Sequence, residues 1–279
     1  MRIDWEKKKE ELRLRMCEYT KQDICIAFSG GVDSSLLLKL ACDAAQANKT
    51  SVYAVTFHTM LHPACDLETA KRVAKELGAY HTVLFVNELE LKELRKNPPE
   101  RCYLCKRHLF ERLATFANEK GITCLLDGTN ADDLQEYRPG LRALKELGVE
   151  SPLALCRMTK QEVKELAAEL SLSTASRPST PCMATRLPYG AELDYETLHR
   201  IEQGETYLKT IISGNLRLRL HGEVVRLETD EDQLEWVLMQ RKEICRELKK
   251  IGFRYVTIDL EGFRSGSMDL GLRSEKAGE

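Results

Sequence analysis

Ser29-Gly30-Gly31-Val32-Asp33-Ser34 follows the apolar run Ile24 to Phe28 and opens a periodic stretch containing Leu36, Leu37, Leu38 and Leu40. The order is that of a strand, a glycine-rich turn and a helix N-terminus. Adjacent glycines let the backbone turn tightly and approach a ligand with no Cβ in the way, while the first amides of the helix point outward without partners. A turn of this kind binds phosphate. It is not the Walker form, which spaces its glycines further apart and places a Lys beside Ser or Thr; here the first Lys after the turn is Lys39. With no lysine on a γ-phosphate, the loop suits a pyrophosphate held by backbone amides and by the hydroxyls of Ser29, Ser34 and Ser35. The competing reading, an ordinary tight turn, lacks what the flanking strand and helix supply, the context of a phosphate loop.

Outward from this turn the chain alternates. Trp5 to Met16 reads as a charged amphipathic helix before the first strand. After the turn come a strand at Ser51 to His58, a helix at Leu67 to Leu77 stopped by Gly78, and a strand at His81 to Val86. A helix at Tyr103 to Glu119, a strand at Thr123 to Leu126, a short helix near Leu141 to Leu147 and a strand at Pro152 to Leu155 continue the rhythm. Thr159-Lys160-Gln161-Glu162 has the capping-box pattern and starts a helix that runs to Leu170. Such alternation predicts an α/β fold, a doubly wound parallel sheet whose ligands bind at the carboxyl ends of the strands.

The composition changes over Ser171 to Gly190, where Ser173, Ser176, Pro178, Ser179, Pro181, Pro188 and Gly190 mark a long loop or linker. Beyond it a helix at Tyr195 to Ile212, strands at Asn215 to Leu220 and Val224 to Glu228, a helix at Gln233 to Lys250 and a strand at Arg254 to Leu260 predict a small α+β domain with an antiparallel hairpin. The expected organisation is residues 1–175 as the phosphate-loop domain, 176–192 as a cysteine-bearing linker, and 193–279 as a domain for substrate or oligomerisation.

The 279 residues exceed the usual single domain of about 100 to 200. A hydrophobic content of 43% suffices for real cores, and a net charge of −2 argues against a broad electrostatic footprint for long nucleic acid. The N-terminus is charged from Arg2 onward, and no run of about 20 apolar residues occurs. These features predict a cytoplasmic chain with no membrane partner, whose ten cysteines are thiols or metal ligands rather than disulfides.

Three further places carry chemistry. Cys102 and Cys105 form a CxxC just after Pro98-Pro99, at the expected start of a helix, where a helix N-terminus favours thiolate. The motif serves shared metals, redox chemistry and zinc, but structural zinc wants four ligands and no second CxxC is present. Pro181-Cys182 lies in the Ser/Pro-rich loop. In Leu216-Arg217-Leu218-Arg219-Leu220, alternation places both arginines on one face. Either that face is simply solvated, or two forked guanidiniums bind a phosphate or dicarboxylate, with Glu205, Glu223 and Glu228 as candidates to orient them.

The stretch SGGVDS resembles the PP-loop of ATP pyrophosphatases. With it, NPPERCYLCK (97–106), DGTNADDLQEYRPGLRALKELGV (127–149), STPCMATRLPYG (179–190), LRLRLHGEVVRLE (216–228) and GFRYVTIDLEGFRSGS (252–267) resemble the LarE family, ATP-dependent sulfur transferases of nickel-pincer nucleotide cofactor synthesis. The resemblance implies that ATP adenylates a carboxylate of a pyridinium dicarboxylate mononucleotide, and that sulfur then displaces AMP to leave a thiocarboxylate. It implies that Ser29, Gly30, Gly31, Val32, Asp33 and Ser34 hold the pyrophosphate, Asp33 also holding Mg2+, and that Asp127, Gly128 and Thr129 lie near the nucleotide, with Asn130, Asp132 and Asp133 as further contacts. Lys106, Thr185, Arg186, Arg217 and Arg219 would surround the substrate phosphate and carboxylates, with Glu205 and Glu228 behind them.

The family divides by sulfur source, and both kinds stay open here. One sacrifices a single cysteine, here Cys182. The other holds a [4Fe-4S] cluster on three cysteines, here Cys102, Cys105 and Cys182, and passes on supplied sulfide; three such thiols favour this kind. The remaining cysteines, Cys17, Cys25, Cys42, Cys65, Cys124, Cys156 and Cys245, are assigned to packing, and a homo-oligomer is expected. Amidation of a carboxylate from free ammonia and thiolation of tRNA are the rival readings, as is a nucleotide-binding regulator without turnover. The chain has no N-terminal nucleophilic Cys for a glutaminase, no evident RNA-binding extension, and three thiols that a regulator would not need.

Overall fold

The apolar run before the glycines forms β1 (Ile24–Ala27) in the computed structural model, which describes residues 2–62, 65–135, 138–176, 181–264 and 267–269. Before it runs α1 (Arg2–Tyr19), and after it α2 (Val32–Asn48), β2 (Val52–His58), α3 (Cys65–Glu76) and β3 (Tyr80–Phe85). The short α4 (Lys92–Arg95) precedes α5 (Arg101–Glu119), β4 (Cys124–Leu126), α6 (Gly140–Glu146), α7 (Pro152–Leu155) and α8 (Lys160–Glu169). The chain divides into two units, residues 1–88 with 102–180 and residues 89–101 with 181–279. The segment 89–101 thus joins the second unit.

In the first unit all four strands are parallel, in the order β3-β2-β1-β4, with Ile24 opposite Val52 on one side and Cys124 on the other. Alternation along β1 sends Ile24 and Ile26 into a core with Leu12, Leu36, Leu37, Val73, Val163 and Leu166, and Cys25 into a second core with Leu109, Phe110, Leu113 and Leu144. Helices therefore cover both faces, as the doubly wound expectation requires. Every strand points its carboxyl end the same way, and the Ser29-Gly30-Gly31 turn sits at such an end, between β1 and α2.

One expected strand is not formed. Pro152 to Leu155 is the single helical turn α7, with Pro at its first position, where a missing N–H costs nothing and the fixed φ suits a helix. The extension of the sheet lies just before it, where Glu150 bridges Leu126 in parallel. A short apolar run cannot by itself tell the two apart. The capping box at α8 is present in full, Thr159 accepting from Glu162 N and the Glu162 carboxylate accepting from Thr159 N.

In the second unit α9 (Tyr195–Leu208), capped by Asp194, precedes β5 (Leu216–His221) and β6 (Val224–Thr229), an antiparallel pair as expected. The expected helix over 233–250 breaks near Gln240 into α10 (Leu234–Met239) and α11 (Arg241–Ile251), and β7 (Tyr255–Ile258) then adds in parallel beside β6. Of the predicted linker, residues 177–180, including Pro178 and Ser179, lie outside the described residues. Among the described residues no helix is long and apolar enough to cross a membrane.

Candidate active site

Each unit carries its own set of functional groups. In the first, Gly30 takes φ +72° and any Cβ there would lie 3.0 Å from the Ala70 amide nitrogen, so both the turn and the approach of α3 require glycine. Gly31 is the residue before α2 and has no side chain to cap it, which leaves the first amides of that helix directed at whatever sits over the loop. Ser34 Oγ donates to Gly31 O at 3.2 Å, and Ser29 Oγ accepts from Gly31 N at 3.3 Å, so the two hydroxyls brace the turn from within. Ser35, expected among the phosphate ligands, is fully buried below the loop.

The end of β4 lies against this turn. A Cβ on Gly128 would come within 2.9 Å of Ser34 N, so only glycine lets the two backbones meet. Asp127, buried beside it, accepts from Thr129 N and Oγ1 at 3.2 and 2.6 Å, from Ser151 Oγ at 2.5 Å and from Lys106 Nζ at 3.3 Å. Its oxygens are thus used to shape the strand end. Asn130 Nδ2 donates to Asp33 Oδ1 at 3.1 Å, and Asn130 Oδ1 accepts from the amides of Asp132 and Asp133. Asp133 is also paired with Arg138 at 2.7 Å, and Asp33 is paired through Oδ2 with Lys160.

Magnesium is usually bound through one or two carboxylates together with substrate phosphates. Asp33, in the first turn of α2, fits that donor set without a preformed cage. Iron is a different matter. Cys102 and Cys105 stand one helical turn apart in the first turn of α5, the former exposed and the latter half-buried. Cys182 belongs to the second unit, and among the described residues no group of three or more His, Cys, Asp or Glu is placed to hold a metal ion. Of the three expected thiols, Cys102 and Cys105 lie in the first unit and Cys182 in the second.

The packing assignment holds for four of the other cysteines. Burial pushes the Cys25 thiol up to about 12 and those of Cys42, Cys124 and Cys156 up to about 11. Cys17, by contrast, is exposed, and Cys245 is half-buried. The Cys65 side chain lies outside the described residues.

In the second unit Cys182 precedes the 3-10 turn Met183–Arg186, and its carbonyl accepts from Thr185 Oγ1 at 2.7 Å and from Arg186 Nη1 at 3.4 Å. Arg186 is buried and forked onto Glu205 at 2.6 and 2.9 Å; Glu205 also accepts from Leu218 N. Arg219, buried on β5, donates to Glu228 at 3.0 Å and to the Thr185 carbonyl at 2.7 Å. Glu228 is fully buried and accepts as well from Arg226 and Ser267. The solvated-face reading of these arginines is thereby excluded for Arg219. Of the three proposed orienting acids, Glu228 serves Arg219 and Glu205 serves Arg186, whereas Glu223 pairs with Arg254 at the surface.

Arg217 differs from its neighbours. It lies over the Phe263 ring and donates to its neighbour's carbonyl, and among the described residues it forms no ion pair. Burial first, and then the repulsion of Arg186 and Arg219, hold its guanidinium below the ordinary arginine value. An anion placed on it would relieve that repulsion.

Two residues with clear positions escaped the sequence reading. Lys160 was read only as part of a capping box, although the first residue of a helix packed beside α2 must end near the loop. Asn97, fully buried, donates to the carbonyls of Ala184, Leu187 and Pro188 and accepts from Arg101. It thereby fixes the turn that carries Thr185 and Arg186. Its signal was its place before Pro98-Pro99, where a helix must stop.

A family model described as PP-loop domain matches residues 5–169. The pyridinium-3,5-bisthiocarboxylic acid mononucleotide synthase of Lactiplantibacillus plantarum is 34% identical over 248 residues, 89% of each chain. An uncharacterized protein of Synechocystis sp. is 37% identical over 246 residues, 88% of this chain and 91% of its own. A tRNA-specific 2-thiouridylase of Rickettsia bellii is 28% identical over 197 residues, covering 56% of this chain and 52% of its own.

Proposed function

We propose, from the fact that the chain belongs to the LarE family of PP-loop ATP-dependent sulfur transferases, that it makes the thiocarboxylates of a pyridinium mononucleotide in nickel-pincer cofactor synthesis. The observation that carries this reading is the likeness to the Lactiplantibacillus synthase across both units, because the sulfur and arginine groups lie in segments that a phosphate loop alone would not bring. A substrate carboxylate oxygen attacks the α-phosphorus of ATP, and pyrophosphate leaves onto the amides of Gly30 to Ser34. Asp33 would hold magnesium together with the phosphates, where the metal would supply charge neutralisation for the leaving group. Arg217 meets the substrate phosphate or carboxylate, framed by Arg186, Arg219 and Thr185, and Lys106 is assigned to the same substrate. A sulfur nucleophile then attacks the acyl carbon and AMP departs with its bonding pair.

The sulfur comes, in the first version of this proposal, from a [4Fe-4S] cluster on Cys102, Cys105 and Cys182, which supplies a sulfide nucleophile when bound. In the second, Cys182 is itself the donor: its thiolate forms a thioester with the acyl group, loss of the Cys182 α-proton breaks its Cβ–S bond, and dehydroalanine remains. Intact mass after one turnover separates them. Loss of hydrogen sulfide from Cys182, in a protein whose Cys102→Ala variant stays active, removes the cluster version; many turnovers on added sulfide with no mass loss remove the sacrificial one. Pyrophosphate release that responds to tRNA or ammonia instead of the pyridinium carboxylate would overturn the substrate assignment altogether.

A further inference from the structure

The ladder between β1 and β2 ends with Ala27 opposite Val55, and Phe28 N still donates to the Val55 carbonyl at 2.8 Å. Past that point a side chain takes over. The carbonyl of Phe28 accepts from Thr56 Oγ1 at 2.7 Å, and the same hydroxyl lies 2.8 Å from His81 Nε2 on β3. A hydroxyl has one proton. Since Thr56 gives it to Phe28, its oxygen accepts from the ring, so His81 carries its hydrogen on Nε2 and donates. His81 stands opposite Ala54, two residues before Thr56, and alternation puts both side chains on one face. Thr56 and Phe28 are buried, and the His81 ring meets the Phe28 ring edge-on, with centroids 6.3 Å apart. Burial, and then the charge of Lys71, hold the His81 value below the ordinary histidine one, which favours the neutral ring.

At the other end of the same peptide, Ser29 N donates to Ser34 Oγ at 3.3 Å, and Ser34 Oγ donates to the Gly31 carbonyl at 3.2 Å. A peptide is planar, so fixing the Phe28 oxygen also fixes the Ser29 N–H. The bonds thus run in one direction from β3 to the loop: His81 to Thr56, Thr56 to Phe28, Ser29 to Ser34, Ser34 to Gly31. We propose that His81 is a positioning residue for the phosphate loop: through Thr56 it orients the Phe28–Ser29 peptide, and with it the loop amides that receive a magnesium polyphosphate. This rests on the reading of Ser29 to Ser34 as an ATP loop. Bonds aligned head to tail polarise one another. Donors held in place before a ligand arrives need no ordering when it does.

Calorimetric titration with inorganic pyrophosphate and Mg2+ tests this on wild type, Thr56→Val, Thr56→Ser, His81→Leu, His81→Gln and the Thr56→Val/His81→Leu double variant, each with its melting temperature. Thr56→Val keeps the shape without the hydroxyl and should bind roughly 3- to 10-fold more weakly, and His81→Leu roughly 2- to 5-fold. Thr56→Ser keeps the hydroxyl and His81→Gln keeps an N–H donor, so both should bind as the wild type does. Because His81 acts through Thr56, the double variant should bind no worse than Thr56→Val alone. A histidine that only supports the sheet would lower the melting temperature of His81→Leu and leave its affinity unchanged, and that result overturns the proposal. So do losses that add in the double variant, or a His81→Gln protein that binds as poorly as His81→Leu. If Thr56→Val does not fold, the comparison of His81→Leu with His81→Gln decides alone. Wild-type protein that takes up no magnesium pyrophosphate is a separate result and overturns the loop reading beneath it.

Discussion

The Lys160–Asp33 and Lys106–Asp127 pairs are 35%/19% and 30%/7% exposed, whereas in the second unit Arg186 and Glu205 are 2% and 4% exposed and Arg219 and Glu228 are 6% and 0%. Pairs whose cation water reaches are worth less than fully desolvated ones and open more readily. Those of the second kind leave a buried charge behind when one partner goes, at a cost of about 3–5 kcal/mol. The first unit thus holds acids, Asp33 and Asp127, whose paired cations water reaches. The second holds a preset frame in which Arg186 and Arg219 are committed to carboxylates, whereas Arg217, among the described residues, forms no ion pair.

The largest effect should come from breaking the frame. Arg186→Met leaves Glu205 buried and should lower stability by about 3–5 kcal/mol, against less than about 1 kcal/mol for Lys160→Met. Urea unfolding of both variants makes the comparison, and equal losses would end it. Next in size is Gly128→Ala. Its Cβ would press on Ser34 N at 2.9 Å, and overpacking of this kind costs about 1–3 kcal/mol. The strain falls on the loop, so AMP formation should drop at least roughly tenfold while the mononucleotide still binds; unchanged AMP formation would separate the loop from the strand end that abuts it.

Arg217→Ala sharpens the contrast within the second unit. Losing a charged donor to the substrate should cost roughly 1.5 to 3 kcal/mol of mononucleotide binding, with little change in unfolding, since Arg217 supports no buried carboxylate. Arg219→Ala should lose both binding and stability, because Glu228 is then left with fewer donors. ATP affinity should hold in both. An equal fall in ATP affinity would move these arginines to the nucleotide.

Much of the first unit was legible because its signals are local. The glycine turn, the alternation of strands and helices, Gly78 and the capping box each lie within a few residues of what they determine. Lys160 was not, because it meets Asp33 from 127 residues away and nothing near either residue announces the partner. Pro152 to Leu155 misled for a related reason: four apolar positions fit a buried strand or a helical turn, and the choice is made by Glu150, which has already taken the sheet position beside Leu126. In the second unit the arginine alternation was visible, but not that Glu205 would be claimed by Arg186. Residues 185–219 had to fold before those partners could be told apart.

The smallest expected effect concerns alkaline pH. The thiols of Cys25, Cys42, Cys124 and Cys156 all lie in the first unit, and burial raises each above the ordinary cysteine value; Tyr19 is raised in the same unit, while Tyr207 is raised in the second. For a thiol whose folded value exceeds its unfolded one, the unfolded chain releases its proton first. Stability is therefore full below the ordinary value near 9 and declines as pH rises from there toward the folded values of about 11 to 12. The chain offers a built-in readout, since Trp5 packs against the core of the first unit and Trp236 lies on α10 of the second. Between pH 8.5 and 10, a span of roughly one and a half units across that onset, the thermal midpoint reported by Trp5 in a Trp236→Phe protein should fall further than that reported by Trp236 in a Trp5→Phe protein. Parallel decline of the two would mean that the units unfold as one. Their charges would then differ in exposure without differing in what they hold together.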